Sequence, residues 1–268
     1  MATKTIGIVG CGAIGTALLR AGEAGSLGAR VAGVTSRNEE KARSFLGTMQ
    51  SPPPYLDRDE LIASSDLLVE TAGGHVVPEL AQEAFSAGKD LMVISVGALL
   101  EHPEIIELSR STGCQLHAPS GAIAGLDGIK SACVGRVSSV MMESRKPPRA
   151  LEGAPFLIEN NISLEGLTEE TELLTGTARQ ACIGFPANLN VSAAVSLAGL
   201  GPDQTMIKVI AVPGLERNCH DIEIEGEFGL LRIHIENEPS ENPKTGRLTA
   251  MSIIRSVQNV TDTLHIGT

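Results

Sequence analysis

Tryptophan is absent, tyrosine occurs once and phenylalanine five times, so aromatic residues make up only 2% of the 268-residue chain. Single-stranded nucleic acid is held largely on stacked aromatic side chains, and this chain has almost none to offer. Positive charge is scarce as well, since 21 Lys and Arg against 32 Asp and Glu leave a formal charge of −11. The phosphate neutralisation that drives nucleic-acid binding therefore lacks its basic footprint. Long apolar runs are missing too: the longest, residues 91–100, is about half of the ~20 residues that cross a bilayer. Lys4 and the apolar run 6–19 have the outline of a short signal peptide, but no small-residue cleavage site follows it. The five cysteines, Cys11, Cys114, Cys133, Cys182 and Cys219, are odd in number, far apart and without a C-x-x-C pair. That pattern signals neither a disulfide framework nor a zinc site, so a reducing cytoplasm and no metal are expected.

What is present is a 42% hydrophobic content, enough for one large or two modest domains with real cores. Strands are predicted over 5–9, 30–34, 66–71, 90–96 and 114–117, alternating with helical spacing over 13–24, 77–87 and 103–111. Such alternation implies right-handed crossovers onto a parallel sheet, a doubly wound α/β domain. Beyond Pro119 the pattern changes to a helix over 121–133, a strand over 136–142 and a Pro-rich cationic connection over 145–153. Helices are expected over 168–181 and 188–200, around the Gly184-Phe185-Pro186 break. Three strands follow over 206–212, 220–225 and 230–236, the last two joined at Gly226-Glu227-Phe228-Gly229 as a hairpin. Leu248, Met251, Ile254 and Val257 then mark a closing amphipathic helix over 244–260 that packs back on the first domain. The expected organisation is an N-terminal Rossmann domain over 1–119, a second α+β catalytic and dimerisation domain over 120–241, and a C-terminal helix over 242–268.

The sharpest local signal is Gly10-Cys11-Gly12-Ala13-Ile14-Gly15, a G-x-G-x-x-G between a buried strand and a helix. Gly10 permits the tight turn, Gly12 lets backbone approach a pyrophosphate, Gly15 lets helix and strand pack, and the helix N-terminus offers N–H groups to the anion. An acidic residue about 20 positions on normally holds the ribose 2′-hydroxyl of NAD. Thr35-Ser36-Arg37-Asn38 stands there instead. Without a carboxylate to repel it, a 2′-phosphate is admitted, and Ser36 with Arg37 can bind it, so the cofactor is NAD or NADP.

Six histidines are available for proton transfer. His102 and His265 are expected in solvent, and His234 falls on the wet face of its strand with Arg232 and Glu236. His75 and His117 sit at strand ends on the ligand-binding edge of the first domain. Two-residue alternation turns His220 inward with Ile222 and Ile224, at the start of a strand and within Arg217-Asn218-Cys219-His220-Asp221.

Several segments together resemble the L-aspartate dehydrogenase family over essentially the full length. They are the glycine-rich turn, Pro119-Ser120-Gly121-Ala122-Ile123-Ala124-Gly125-Leu126-Asp127, Arg145-Lys146-Pro147-Pro148, Phe185-Pro186-Ala187-Asn188-Leu189-Asn190-Val191, Arg217 to Asp221, and Asn242-Pro243-Lys244-Thr245. The resemblance implies NAD(P)-dependent interconversion of L-aspartate with oxaloacetate and ammonia through iminoaspartate, feeding NAD biosynthesis. It also implies that His220 is catalytic and that Ala124 and Asn190 contact the cofactor. Arg145, Lys146, Arg217 and Lys244 become candidates for the substrate carboxylates, with Asn218 beside them, and a homodimer through the second domain's sheet is expected. Family members often carry Asp where this chain has Ser36-Arg37, which puts strict NAD specificity in doubt. On the residues alone two other readings stay open: another two-domain reductase, of dihydrodipicolinate or homoserine type, and a non-catalytic NADP-binding sensor.

Overall fold

Short β-branched runs that each feed a helix can pair only as parallel strands, because every crossover returns the chain to the same end of the sheet. In the computed structural model, which describes residues 4–186, 189–239 and 246–267, β1 (Thr5–Val9), β2 (Arg30–Thr35), β3 (Leu67–Glu70), β4 (Asp90–Val93) and β5 (Leu116–His117) do so. Their order is β2-β1-β3-β4-β5, parallel throughout. The chain changes direction across the sheet between β1 and β3, the point where open α/β sheets bind ligands. Tyr55 adds a single parallel bridge outside β2, on Val34. Helices Glu39–Leu46, Arg58–Ala63 and Ala98–Glu101 also form where no helix is expected. The first of these starts at Asn38, whose side chain accepts from the Lys41 N–H at 2.9 Å.

The chain divides into two compact units: Met1–Pro119 with Ala250–His265, and Ser120–Thr249 with Ile266–Thr268. Helix Arg247–Thr261 buries Ile253 and Val257 in the cluster formed by Ile6, Ile8, Leu18, Val34 and Leu67. The expected stripe is corrected here, since Met251 is 61% exposed. Three-residue steps drift around a helix of 3.6 residues per turn, and an i, i+4 pair holds the core instead.

The second unit contains β6 (Val137–Lys146), β7 (Thr171–Thr177), β8 (Thr205–Ala211), β9 (Asn218–Gly226) and β10 (Gly229–Asn237), in the order β10-β9-β6-β8-β7. The β6–β8 pair is parallel and the others are antiparallel. Its inner face carries Val140, Met142, Ile207, Val209, Ile222 and Ile224, all buried.

Three expectations change here. Residues 171–177 are a strand, not a helix, because Thr171, Thr175 and Thr177 favour extended backbone. Thr177 then caps helix Ala178–Gly184 in a reciprocal pair with Gln180. The helix expected over 121–133 is confined to Leu126–Ala132, since Gly121 and Gly125 adopt φ of +63° and +80°, outside the helical region. Finally, β6 runs on to Lys146, so Arg145 and Lys146 belong to a strand rather than a connection. Helix Asn190–Ala198 opens at Asn190. Ala187 and Asn188, the boundary at 241/242 and Lys244 lie outside the described residues.

Candidate functional site

In the first unit the glycine-rich turn is held by three hydrogen bonds from its two neighbouring strand ends. The Gly10 N–H donates to the Thr35 carbonyl at 2.8 Å, and the Thr71 N–H donates to the Val9 carbonyl at 2.7 Å. The Thr71 hydroxyl donates to the Gly10 carbonyl at 3.0 Å. Gly10 has φ +111°, and a Cβ there would lie 2.7 Å from the Thr71 backbone, so no larger residue fits. A Cβ on Gly12 would instead meet nothing within 4 Å. That open space belongs to a cavity of about 680 Å³ lined by the turn, Thr35, Ser36, Arg37, Asn38, Lys41, Arg58, Thr71, Ala72 and His75.

Helix Ala13–Glu23 begins at this turn with no acidic residue in its first turn, leaving its N-terminal N–H groups attractive to an anion. Ala13 and Ile14 contribute backbone there. The side chain of Ile14 packs against the core. A dinucleotide fits these residues: backbone donors for its pyrophosphate, and Ser36 and Arg37 at the end of β2 for its ribose. The Ser36 carbonyl is held by the Tyr55 hydroxyl at 2.8 Å, and the Arg43 guanidinium lies 4.6 Å from the Tyr55 ring centre. The Arg37 and Lys41 side chains make no hydrogen bond or ion pair among the described residues. Lys41 escapes a sequence reading because its signal, a cation one turn beyond Arg37, is common on any solvated helix.

In the second unit the inner faces of β6 and β9 turn from apolar to polar toward one end. Ser144 stands opposite His220, and one step further along lie Lys146 and Asn218. Lys146 is 3% exposed and His220 1%. Ser144 Oγ, Asn218 Oδ1 and His220 Nδ1 have no hydrogen-bond partner among the described residues, and Lys146 forms no ion pair there. Glu143 and Asp221 sit on the opposite face, bound to Arg145 at 2.6 and 2.7 Å. Burial without a counter-ion pushes the Lys146 ammonium down to about 8. Burial first, and the Lys146 charge second, push the His220 imidazole down to about 3, so His220 is neutral at pH 7.

Asn237, opposite Asn218 on β10, donates to the Ala122 carbonyl at 2.7 Å. This ties the turn carrying Ala124 to the same end of the sheet. Asn190 opens the helix whose Ser192 donates to Met142 Sδ at 3.9 Å, two residues before Ser144 on β6.

Two expected substrate cations do not join this cluster. Arg217 bonds Glu236 and Glu238 at 3.0 and 2.8 Å, which neutralise it on the exposed face, and Arg145 is neutralised in the same way. Among the other histidines, His234 is exposed and bonds Asp221, and the side chain of His102 pairs with Glu104 at 3.0 Å. His117 ends β5 with Nε2 lacking a hydrogen-bond partner among the described residues, and burial lowers its pKa.

Comparison with known proteins follows the same division. A family model described as homoserine dehydrogenase, NAD binding domain, matches residues 10–119, and one described as aspartate dehydrogenase, C-terminal, matches residues 127–260. L-aspartate dehydrogenase 3 of Bordetella bronchiseptica is 44% identical over 264 residues, covering 98% of this chain and 97% of its own. An L-aspartate dehydrogenase of Methanosarcina mazei is 44% identical over 268 residues, covering 98% and 99%. The crystal structure of an aspartate dehydrogenase from Thermotoga maritima, 23% identical, covers 98% of this chain and 99% of its own with a TM-score of 0.75. It shares the fold.

Two outcomes are expected. If Arg37 reads a 2′-phosphate, Arg37→Ala raises KM for NADP about tenfold or more and leaves KM for NAD within about twofold, by loss of a charge-assisted hydrogen bond. Equal effects in steady-state kinetics would reject that role. The fall of Lys146 from an ordinary 10.5 to about 8 corresponds to about 3 kcal/mol of destabilisation below pH 8, at about 1.4 kcal/mol per tenfold change. The unfolded chain binds the extra proton between pH 8 and 10.5, so this cost fades as pH rises through that window. Lys146→Met is therefore expected to raise Tm at pH 7 by several degrees, with a smaller gain near pH 10, in thermal scans.

Proposed function

The chain belongs to the aspartate dehydrogenase family, and on that premise we propose that it interconverts L-aspartate with oxaloacetate and ammonia through iminoaspartate, using NAD or NADP. The family supplies the reaction class. The structural observation that carries the chemistry is the buried Lys146–His220 pair, a cation without a counter-ion beside a neutral imidazole. The nicotinamide, when bound, supplies or receives the hydride.

Lys146 holds one carboxylate of the substrate, and a buried charge so placed interacts far more strongly than it would in water. Asn218 and Ser144 offer hydrogen bonds alongside it. Pairing Lys146 with a carboxylate neutralises the charge that helps suppress protonation of His220. Substrate binding thereby raises the proton affinity of the imidazole, and His220 becomes the general base that takes the proton from the amine nitrogen or from the water hydrolysing the imine. In the reductive direction His220 returns that proton to the departing hydroxyl of the carbinolamine. Asn190 and Ala124 are proposed to contact the cofactor, and the iminoaspartate so formed would feed NAD biosynthesis.

The second sheet's outer face, with Met141 39% exposed among its charges, is proposed as the homodimer contact, and sedimentation should give twice the chain mass of 28.0 kDa. A monomer at micromolar concentration would reject it. No disulfide joins the five cysteines, all of which lie among the described residues, which suits a reducing cytoplasm.

The deciding assay follows NADPH and NADH oxidation with oxaloacetate plus ammonium. Turnover is expected there and not with pyruvate or 2-oxoglutarate. His220→Ala should lower kcat by about 10²-fold or more while folding normally, the usual scale for a general base. Because Lys146 must be protonated to hold a carboxylate, kcat/KM should fall as pH rises through about 8. Lys146→Arg should move that limb upward. Near-normal turnover of His220→Ala would refute its role.

A further inference from the structure

Glu70 is the last residue of β3 and is 0% exposed. No cation pairs with it among the described residues. Its carboxylate is surrounded by donors from two different strand exits. Oε1 accepts the N–H groups of Ala72 at 2.8 Å and Gly73 at 2.7 Å, and the Ser95 hydroxyl at 3.1 Å. Oε2 accepts the N–H groups of Ile94 at 3.1 Å and Ser95 at 2.9 Å. One oxygen thus closes the turn after β3 and the other closes the turn after β4.

The first of these turns, through Thr71, Ala72 and His75, is a wall of the 680 Å³ cavity, and its Thr71 also bonds the glycine-rich turn. Gly73 adopts φ +112° within it, in the region that glycine reaches without a Cβ penalty, and its N–H is one of those bound by Oε1. An acidic residue facing the cavity would repel a dinucleotide. Glu70 is turned inward instead, with its charge spent on five donors.

We propose that Glu70 is a positioning residue for the cofactor, holding the β3 exit turn in the shape that receives it, irrespective of the 2′ substituent. This rests on the reading that the cavity binds NAD(P). The isosteric variant Glu70→Gln discriminates sharply. Whichever way the amide points, its NH2 faces at least two backbone N–H groups that it cannot accept from, so one exit turn loses its anchor.

The experiment measures binding of NADH and NADPH by nicotinamide fluorescence, together with KM for oxaloacetate. Glu70→Gln is expected to raise both cofactor dissociation constants about tenfold by the same factor, while KM for oxaloacetate changes less than twofold. That shared factor separates Glu70 from Arg37, whose effect falls on NADPH alone. Lowered Tm with unchanged dissociation constants would mean that Glu70 serves stability only and would overturn the proposal. Should Glu70→Gln not fold, Ser95→Ala removes one of the five donors. A two- to fivefold rise in both constants then supports the proposal, and unchanged constants overturn it. Absence of cofactor binding by the unaltered protein would instead refute the underlying reading of the cavity.

Discussion

Separation of charge across the second sheet is the constraint on which the proposed chemistry depends. Successive side chains of a strand point to opposite faces, so β9 can carry His220 inward and Asp221 and Glu223 outward within four residues. β6 does the same with Lys146 inward and Glu143 outward. A one-residue slip of β9 alone would turn Asp221 and Glu223 inward and set carboxylates against the lysine of β6. An internal acid there would occupy the place of the substrate carboxylate. The helices covering the inner face complete the effect by removing water, so the two nitrogen bases act on each other and on whatever anion enters.

Both proposed ligands are anions, yet the protein has a formal charge of −11. The two facts agree because net charge governs extended polyanions, whereas a small anion responds to local donors. In the first unit those donors are backbone N–H groups at a helix start, joined by Arg37 and Lys41. In the second they are one buried ammonium and neutral polar groups. Scarcity of aromatics has the same consequence, since binding here relies on backbone, amides and hydroxyls instead of ring stacking.

Much of the first unit was legible in the sequence. The β1 run and the glycine spacing specify each other physically, because the turn at Gly10 is possible only with its positive φ. The burial of His220 was legible too, by strand phase, whereas a catalytic role for it came only from the family resemblance. Residues 171–177 were not, since Glu, Leu and Thr on an edge strand lack a clean two-residue pattern and only Gly176 among them is buried. Lys146 was placed in a connection because Pro147 follows it. A proline just past the end of a strand reads like the middle of a loop until pairing with β8 and β9 is known. Arg217 and Lys146 looked equivalent as cations, and what separates them is the burial of Lys146 and the carboxylates of Glu236 and Glu238 beside Arg217. Glu70 gave no signal, because the donors that hold it inward include Ile94 and Ser95, just past β4 and some 24 residues on.

The first unit is not contiguous in the chain: its core includes Ile253 and Val257, which follow the whole of the second sheet. During synthesis the ribosome must therefore add more than a hundred residues after β5 before that core can close. At roughly 5–20 residues per second this is a wait on the order of ten seconds. For that interval the places that Ile253 and Val257 take in the cluster stay empty, while the intervening unit has all of its strands available. The later segment of the chain can thus finish folding before the earlier one, and the nascent first unit is the state most exposed to misassociation.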